Sequence, residues 1–391
     1  MSIIIFGDLF TVPEGNAATN RVYTYAKGFI ENGIEVHIIS LSNTYSTNNK
    51  GIIDGAKFYN PFGQNERSKY FIVRRWKKLI KYRNAYSIIK SINKEDKIIA
   101  INSWSNELLT HLFGYLLSRL FNARFIIECN EHPFRNYQGT ALRKKLGKLN
   151  FYFESHFCDG VFCISNFLMD FYKNNGFDEN RLLLVPSTVD PSRFNRIAER
   201  TIDQHYIGYF GSLTFNRDNV DILIKAFATI SHKYSEIKLV LGGFCSQNER
   251  TNLIALVNEM NIQDKVTLLN YLTREEIIKY VSNADILVMV RCNDLRSKAS
   301  YPSKLTEFLA SSVPVISVNV GEISLYLTDG VNAFLVEPEN AEALAAKLDY
   351  VISNYELAQK VGQKGKELTE TIFNYNYQAK RMISFINSLQ P

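Results

Sequence analysis

A chain of 391 residues has room for about two domains that each bury a core, and 46% hydrophobic with 21% charged residues excludes a disordered or fibrous protein. The longest apolar stretch, HLFGYLLSRLF at 111–121, is too short for a bilayer and is broken by Arg119. Five cysteines with no C-x-x-C pair and six histidines with no H-x-x-x-H pair argue against a disulfide framework and a metal centre.

The net charge of +6 is unevenly spread. Residues 1–190 hold 24 Lys and Arg against 17 Asp and Glu, net +7, and the remainder holds 21 against 22, net −1. MSIIIFGDLF lacks the basic start and cleavage site of a signal peptide and reads as an immediate strand. With reduced thiols, this predicts a cytoplasmic protein.

In chain order, Ile3–Phe6 and Val36–Ser40 read as short buried strands, with a long loop, FGDLFTVPEGNAATNR, opening the helix between them. Gly15 and Asn16 in that loop let backbone approach a ligand or another domain, and Arg21 on the helix would meet an anion or form an ion pair. RRWKKLIKYR at 74–83 mixes six basic residues with Trp76, Leu79, Ile80 and Tyr82, and RKKLGK at 143–148 adds a second basic run. Either these are solvated helix faces, or they dock on an anionic membrane surface. Nucleic acid is not expected, since no recognition motif accompanies the charge. Strands follow at Ile98–Asn102, Arg124–Glu128, Gly160–Ile164 and Arg181–Val185, and CNEHPFRN at 129–136 places Glu131 and His132 just past one strand end.

The polar, turn-rich segment 186–205 reads as a linker, and the pattern then restarts. Strands are expected at Tyr206–Gly211, Lys238–Leu241, Val266–Leu269, Ile286–Val290, Val315–Val318 and Ala333–Val336, with helical spacing between. The alternation predicts an α/β protein of two doubly wound Rossmann-like domains facing across a cleft, residues 1–196 and 197–371, with a last helix at 372–391 packing back on the first. Neither opening strand is followed by G-x-G-x-x-G, and no Walker loop is present, against a dehydrogenase or an ATPase.

The densest chemistry lies in SYPSKLTEFLASSVPVI, residues 300–316. A helix opening at Pro302 would present the N–H groups of Ser303 and Lys304, with the Lys304 charge, to an anion. Glu307, a turn and a half further, suits a ribose diol. Phosphates at the helix tip and ribose at the acid together describe a nucleoside diphosphate site. The bland alternative is an ordinary amphipathic helix with Leu305, Phe308 and Leu309 buried.

Several segments in order, CDGVFCISNFLMDFYKNNGFDENRLLLVPSTVDPSRF, IGYFGSL, VTLLNYLTREEIIKYVSNADILVMV and KLTEFLASSVPVISVNVGEISLYLTDGVNAFLVEPENAEAL, resemble the GT-B-fold glycosyltransferases of family 4. The resemblance runs over nearly the whole chain. It implies retaining transfer of a sugar from a nucleotide sugar such as a UDP-sugar to a glycan or lipid-linked acceptor in cell-surface polysaccharide or glycoconjugate synthesis, without a metal or other cofactor, and the basic first half of the chain would let such an enzyme work at the inner membrane face. Glu307 then matches the ribose-binding acid, Arg217 the phosphate-binding basic cluster, and Lys304 a second positive charge. Gly211, Ser212, Tyr301 and Ser303 line the donor, Tyr271 lies where the base is held, and Gly15, Asn16, Arg21, Glu131 and His132 fall on the acceptor side. Arg217, Lys304, Glu307 and His132 are the implied catalytic residues.

Three positions depart from the family pattern. Ala299 stands where an acid commonly contacts the transferred sugar, Pro186-Ser187-Thr188 replaces Pro-Asn-Gly, and Asn270 replaces a glycine. Two other readings compete: a GT-B-like nucleotide-sugar epimerase, and a non-catalytic partner that binds sugar or membrane.

Overall fold

Ser2–Gly7 is buried at every position, as a central strand covered on both faces must be. It is β1 of the computed structural model, which describes residues 1–45, 48–137, 139–194 and 202–389. The chain divides into two units, Met1–Thr188 with Tyr375–Pro391, and Val189–Asn374. The expected boundary at 196/197 lies outside the described residues.

The first unit contains β1 (Ser2–Gly7), β2 (Glu35–Ser40), β3 (Lys50–Ile53), β4 (Ala56–Tyr59), β5 (Ile98–Trp104), β6 (Arg124–Cys129), β7 (Gly160–Cys163) and β8 (Leu182–Leu184). They form one sheet in the order β3-β4-β2-β1-β5-β6-β7-β8. Every pair is parallel except the β3–β4 hairpin. Its turn is Asp54-Gly55, both at positive φ (48° and 86°), the conformation for which Asp-Gly is favoured between two short strands. That hairpin was not among the expected strands: Lys50–Ile53 is too short and too exposed to show a buried run.

The helices of this unit are α1 (Ala17–Glu31), α2 (Phe71–Glu95), α3 (Leu108–Phe121), α4 (Ala141–Phe157) and α5 (Asn166–Asn174). The core packs Ile3, Ile5, Trp104, Ile126 and Phe162 of the sheet against Val22, Tyr25 and Phe29 of α1, with Tyr25 edge-on to Trp104 at 5.6 Å. Such a pair adds about 1 kcal/mol to its area burial.

The second unit holds β9 (His205–Phe210), β10 (Ile237–Gly242), β11 (Val266–Leu268), β12 (Ile286–Met289), β13 (Val315–Val318) and β14 (Phe334–Val336). The order is β11-β10-β9-β12-β13-β14, all parallel. Its helices are α6 (Phe215–Asp218), α7 (Val220–Ser231), α8 (Gln247–Glu259), α9 (Arg274–Asn283), α10 (Leu295–Ala299), α11 (Ser303–Ala310), α12 (Ile323–Tyr326), α13 (Ala341–Ser353) and α14 (Tyr355–Glu370). The apolar face of α7, Val220, Leu223, Ile224, Phe227 and Ile230, packs into the core with Ile207, Tyr209, Leu239 and Leu241, as its spacing requires.

The last helix, α15 (Tyr375–Ser388), returns to the first unit. Ala379, Met382 and Ile386 enter that unit's core, and Asn376 accepts from Asn32 at 2.8 Å. In each unit the chain runs outward from a central strand and then restarts on its other side. The reversal falls between β1 and β5, and again between β9 and β12. Ligands of doubly wound sheets bind at the carboxyl ends of the strands flanking that switch point. No helix of the described residues is long and apolar enough to cross a membrane.

Candidate functional site

At the switch point of the second unit, β9 ends in Phe210-Gly211 and β12 is followed by Val290-Arg291. The two strands are hydrogen-bonded neighbours, so the loop from Gly211 to Arg217 and the segment from Arg291 to α11 arise side by side. Lys304, in the first turn of α11, crosses this ground. Its Nζ donates to the Tyr209 hydroxyl at 2.6 Å and to Asp218 Oδ1 at 3.2 Å. Burial holds the Lys304 pKa below its ordinary value, Asp218 opposing and Arg291 and Arg217 adding repulsion. Asp218 also accepts from Thr214 Oγ1 at 2.7 Å, and Tyr209 donates to the carbonyl of Ser212 at 3.0 Å. Gly211 is what lets the lysine pass: a Cβ there would lie 2.6 Å from Nζ.

Arg291, which sequence reasoning passed over, completes the group. Its Nε donates to Ser297 Oγ at 2.9 Å and its Nη2 to Ser300 Oγ at 3.0 Å. Burial pushes its pKa down to about 10, with Asp218 and Asp294 favouring the charge and Arg217 opposing it. Asp294 is itself paired with Arg296 at 2.6 Å. Three cations, Arg217, Arg291 and Lys304, therefore share one site with two carboxylates, Asp218 and Asp294, the second of them paired with Arg296.

Helix α11 starts at Ser303, with Pro302 as the residue before it rather than its first residue. The earliest N–H groups of a helix have no partner within it. Glu307 lies one turn in and is half-buried, and its charge favours that of Arg193, whose pKa burial lowers and Arg274 lowers further. Arg193 sits in the turn Pro191–Phe194 of the same unit. Ser303 keeps its carbonyl bonded to Thr306 Oγ1 at 2.7 Å.

Two donor-side expectations meet a different role. Tyr301 is a core side chain, 3% exposed, packed against Tyr326 and Phe373 with ring centroids 5.3 and 5.2 Å away; it anchors the loop before α11. Tyr271 is exposed in the loop between β11 and α9.

In the first unit, all five acceptor-side residues have local partners. Asn16 caps α1, its Oδ1 accepting from Ala18 and Thr19 backbone at 3.0 and 3.3 Å. A Cβ on Gly15 would stand 2.0 Å from Thr19 Oγ1, so the glycine answers to its own loop. Arg21 is buried, its Nε donating to Glu128 at 3.1 Å and its two Nη to the carbonyls of Pro186 and Val185 at 2.9 and 2.6 Å. The anion it meets belongs to the chain.

Glu131 pairs with Arg135. His132 lies against Phe171 at 4.6 Å, and burial lowers its pKa. Its Nδ1 accepts from the Phe134 backbone N–H at 3.3 Å, which puts the ring proton on Nε2. The acid that ends β6 on the inside is Glu128, pushed up to about 7 by burial. Its signal, a carboxylate closing the apolar run RFIIE, was legible but was passed over for its neighbours.

The basic helices divide similarly. Trp76 and Leu79 on α2 are exposed, 64% and 58%, among exposed or half-buried Arg74, Arg75, Lys77, Lys78 and Arg83. Lys81, counted with them in sequence, turns inward and donates to Leu41 O and Asn43 Oδ1. On α4 the exposed Leu142, Leu146, Leu149 and Tyr152 alternate with exposed Arg143, Lys144, Lys145 and Lys148.

Comparison with known proteins agrees with this architecture. The model of "Glycosyltransferase Family 4" matches residues 18–193, and that of "Glycosyl transferases group 1" matches residues 193–368. An uncharacterized glycosyltransferase of Methanocaldococcus jannaschii is 24% identical over 80% of this chain and 83% of its own. Sucrose-phosphate synthase from Thermosynechococcus elongatus superposes with a TM-score of 0.75, at 16% identity, over 99% of this chain and 98% of its own. Anabaena HepE in complex with UDP-glucose superposes at 0.69, with 12% identity, over 99% and 100%. The two family models meet at residue 193 and together span 18–368, and the chain belongs to the family 4 glycosyltransferases of the GT-B fold.

Proposed function

We propose that this glycosyltransferase moves a hexosyl or N-acetylhexosaminyl group from a nucleoside diphosphate sugar to a glycan or lipid-linked acceptor, with retention and without a metal or other cofactor, in the synthesis of cell-surface polysaccharide or glycoconjugate. The observation that carries the donor reading is the surplus of positive charge at the carboxyl ends of β9 and β12, beside the start of α11. Arg217, Arg291, Lys304 and Arg296 against Asp218 and Asp294 leave a positive surplus that favours a dianion such as a diphosphate. The UDP-glucose complex of HepE, which shares the fold, supports the same choice.

In this reading the diphosphate lies against the first turn of α11 with Lys304 and Arg217 beside it, and Gly211, Ser212 and Ser303 shape the backbone around it. Glu307 accepts from the ribose hydroxyls. As the bond from the anomeric carbon to the phosphate oxygen breaks, the two cations stabilise the charge left on the leaving group, the task a metal performs elsewhere. The acceptor hydroxyl forms the new glycosidic bond on the same face and passes its proton to the departing phosphate. On the acceptor side, His132 offers Nε2–H to a hydroxyl. The exposed mixture of basic and apolar residues on α2 and α4 supports a cytoplasmic enzyme peripheral to an anionic membrane face, where lipid-linked acceptors are displayed.

The test is a panel of nucleotide sugars incubated with and without glycan and lipid-linked acceptors. Free nucleoside diphosphate that accumulates only with an acceptor, together with a new glycosidic product of unchanged anomeric configuration, is the expected result. A donor sugar isomerised without any acceptor would establish the epimerase instead, and no turnover with any pair would leave a binding role.

A further inference from the structure

The nitrogens of the Arg291 guanidinium are not used alike. Nε and Nη2 are taken by Ser297 and Ser300, at 2.9 and 3.0 Å. Both serines belong to the short stretch that leads from β12 into α11, and they fix the plane of the group. Nη1 is buried and has no hydrogen-bond partner among the described residues. A buried donor left unmade costs the desolvation of that group, and more when it is charged.

Asp218 and Asp294 favour the charge of the group, but neither gives Nη1 a hydrogen bond among the described residues. Asp218 is already engaged by Lys304 and Thr214, and Asp294 by Arg296 and the Ser297 backbone. Arg217 adds repulsion. A planar cation held rigid on two edges, with its third nitrogen buried and unmatched, is arranged for an anion that comes from outside the chain.

We infer that Arg291 is a ligand of the donor's diphosphate, with Nη1–H donating to a phosphate oxygen while Ser297 and Ser300 hold the guanidinium in place. This rests on the donor-site reading above and adds to it a residue that the sequence analysis did not place at the site. The rival role is structural: an arginine that only props residues 295–300.

Calorimetric titration of inorganic pyrophosphate, and of UDP, GDP and ADP, into the wild type, Arg291→Gln and the double variant Ser297→Ala/Ser300→Ala separates the two. The expected result is a loss of about tenfold or more in pyrophosphate affinity for R291Q, with a melting temperature equal to or above that of the wild type because a buried charge with an unmade hydrogen bond has been removed. The serine double variant, which keeps the charge but frees the group, binds several-fold more weakly. Pyrophosphate affinity within twofold of wild type in R291Q overturns the inference and makes Arg291 a prop, as does an unchanged affinity in the serine variant should R291Q not fold. Wild-type protein that binds neither pyrophosphate nor any of the three nucleotides removes the donor-site reading along with it.

Discussion

Replacing Gly211 with alanine tests whether the lysine that crosses it is held for a ligand or for the fold. The new Cβ would stand 2.6 Å from Lys304 Nζ and 3.0 Å from Cε. Ordinary contact begins near 3.4 Å, so the tip of the side chain has to move by about 0.8 Å. It can do so, because it is the far end of a flexible chain, but its bonds to Tyr209 and Asp218, 2.6 and 3.2 Å long, have to readjust. A charge-assisted bond of this kind is worth about 2 kcal/mol, yet most of the strain is relieved by rotation, so G211A should lose only about 1 kcal/mol of stability. Donor affinity should fall by about tenfold, since the displaced ammonium no longer faces the same anion. Gly243→Ala is the control. There φ is +135° and the Cβ would lie 1.9 Å from the Gly211 carbonyl oxygen, a backbone contact that cannot give way, so about 3 kcal/mol is lost through the fold itself. Thermal unfolding and nucleotide titration on both variants decide the matter. Full donor affinity in G211A, or a loss of stability matching that of G243A, would refute this assignment of Lys304.

Two further outcomes are expected. Neutralising Arg74, Arg75, Lys77, Lys78 and Arg83 to Gln, with inward-facing Lys81 kept, should weaken binding to phosphatidylglycerol-containing vesicles by about 1 kcal/mol per charge at the surface, less so at high salt; equal binding by sedimentation would retire α2 as a membrane face. The buried Glu154, which accepts from Asn150 and Tyr172 at 2.6 and 2.9 Å, has its pKa raised by burial from 4.5 to about 7. Its folded form holds the proton more tightly, so its contribution is complete below about pH 4.5 and is lost as pH rises through about 7. His111, lowered to about 4 by burial, contributes in the opposite sense as pH rises from about 4. Glu154→Gln removes the first effect, so from pH 5 to pH 8 the wild type should lose about 2 kcal/mol relative to the variant in urea unfolding. Parallel pH profiles would contradict this.

The alternation of apolar runs and helical spacing made both sheets legible, since parallel strands buried on both faces must be nearly continuous in Val, Ile, Leu and Phe. What escaped was either too local or too distant. The β3–β4 hairpin carried only the Asp54-Gly55 signal between two short strands. Arg291 stands 74 positions after Arg217 and 13 before Lys304, and only the adjacency of β9 and β12 brings the three together. Tyr301 and Arg21 read as site residues from their neighbours in sequence, but an aromatic ring beside Phe373 and a guanidinium above Glu128 have partners in the fold that no local pattern announces. Glu307 and Lys304 stood out because their spacing from the start of α11 carries its own chemistry.

The most direct measurement is equilibrium binding of the nucleoside diphosphate sugar that the wild type turns over, compared between wild type and Glu307→Gln. The substitution keeps the shape of the side chain and removes the charged acceptor for the ribose diol. Affinity and turnover should fall together by about tenfold or more, with the melting temperature nearly unchanged. A variant that binds and transfers as the wild type does would take the donor away from α11.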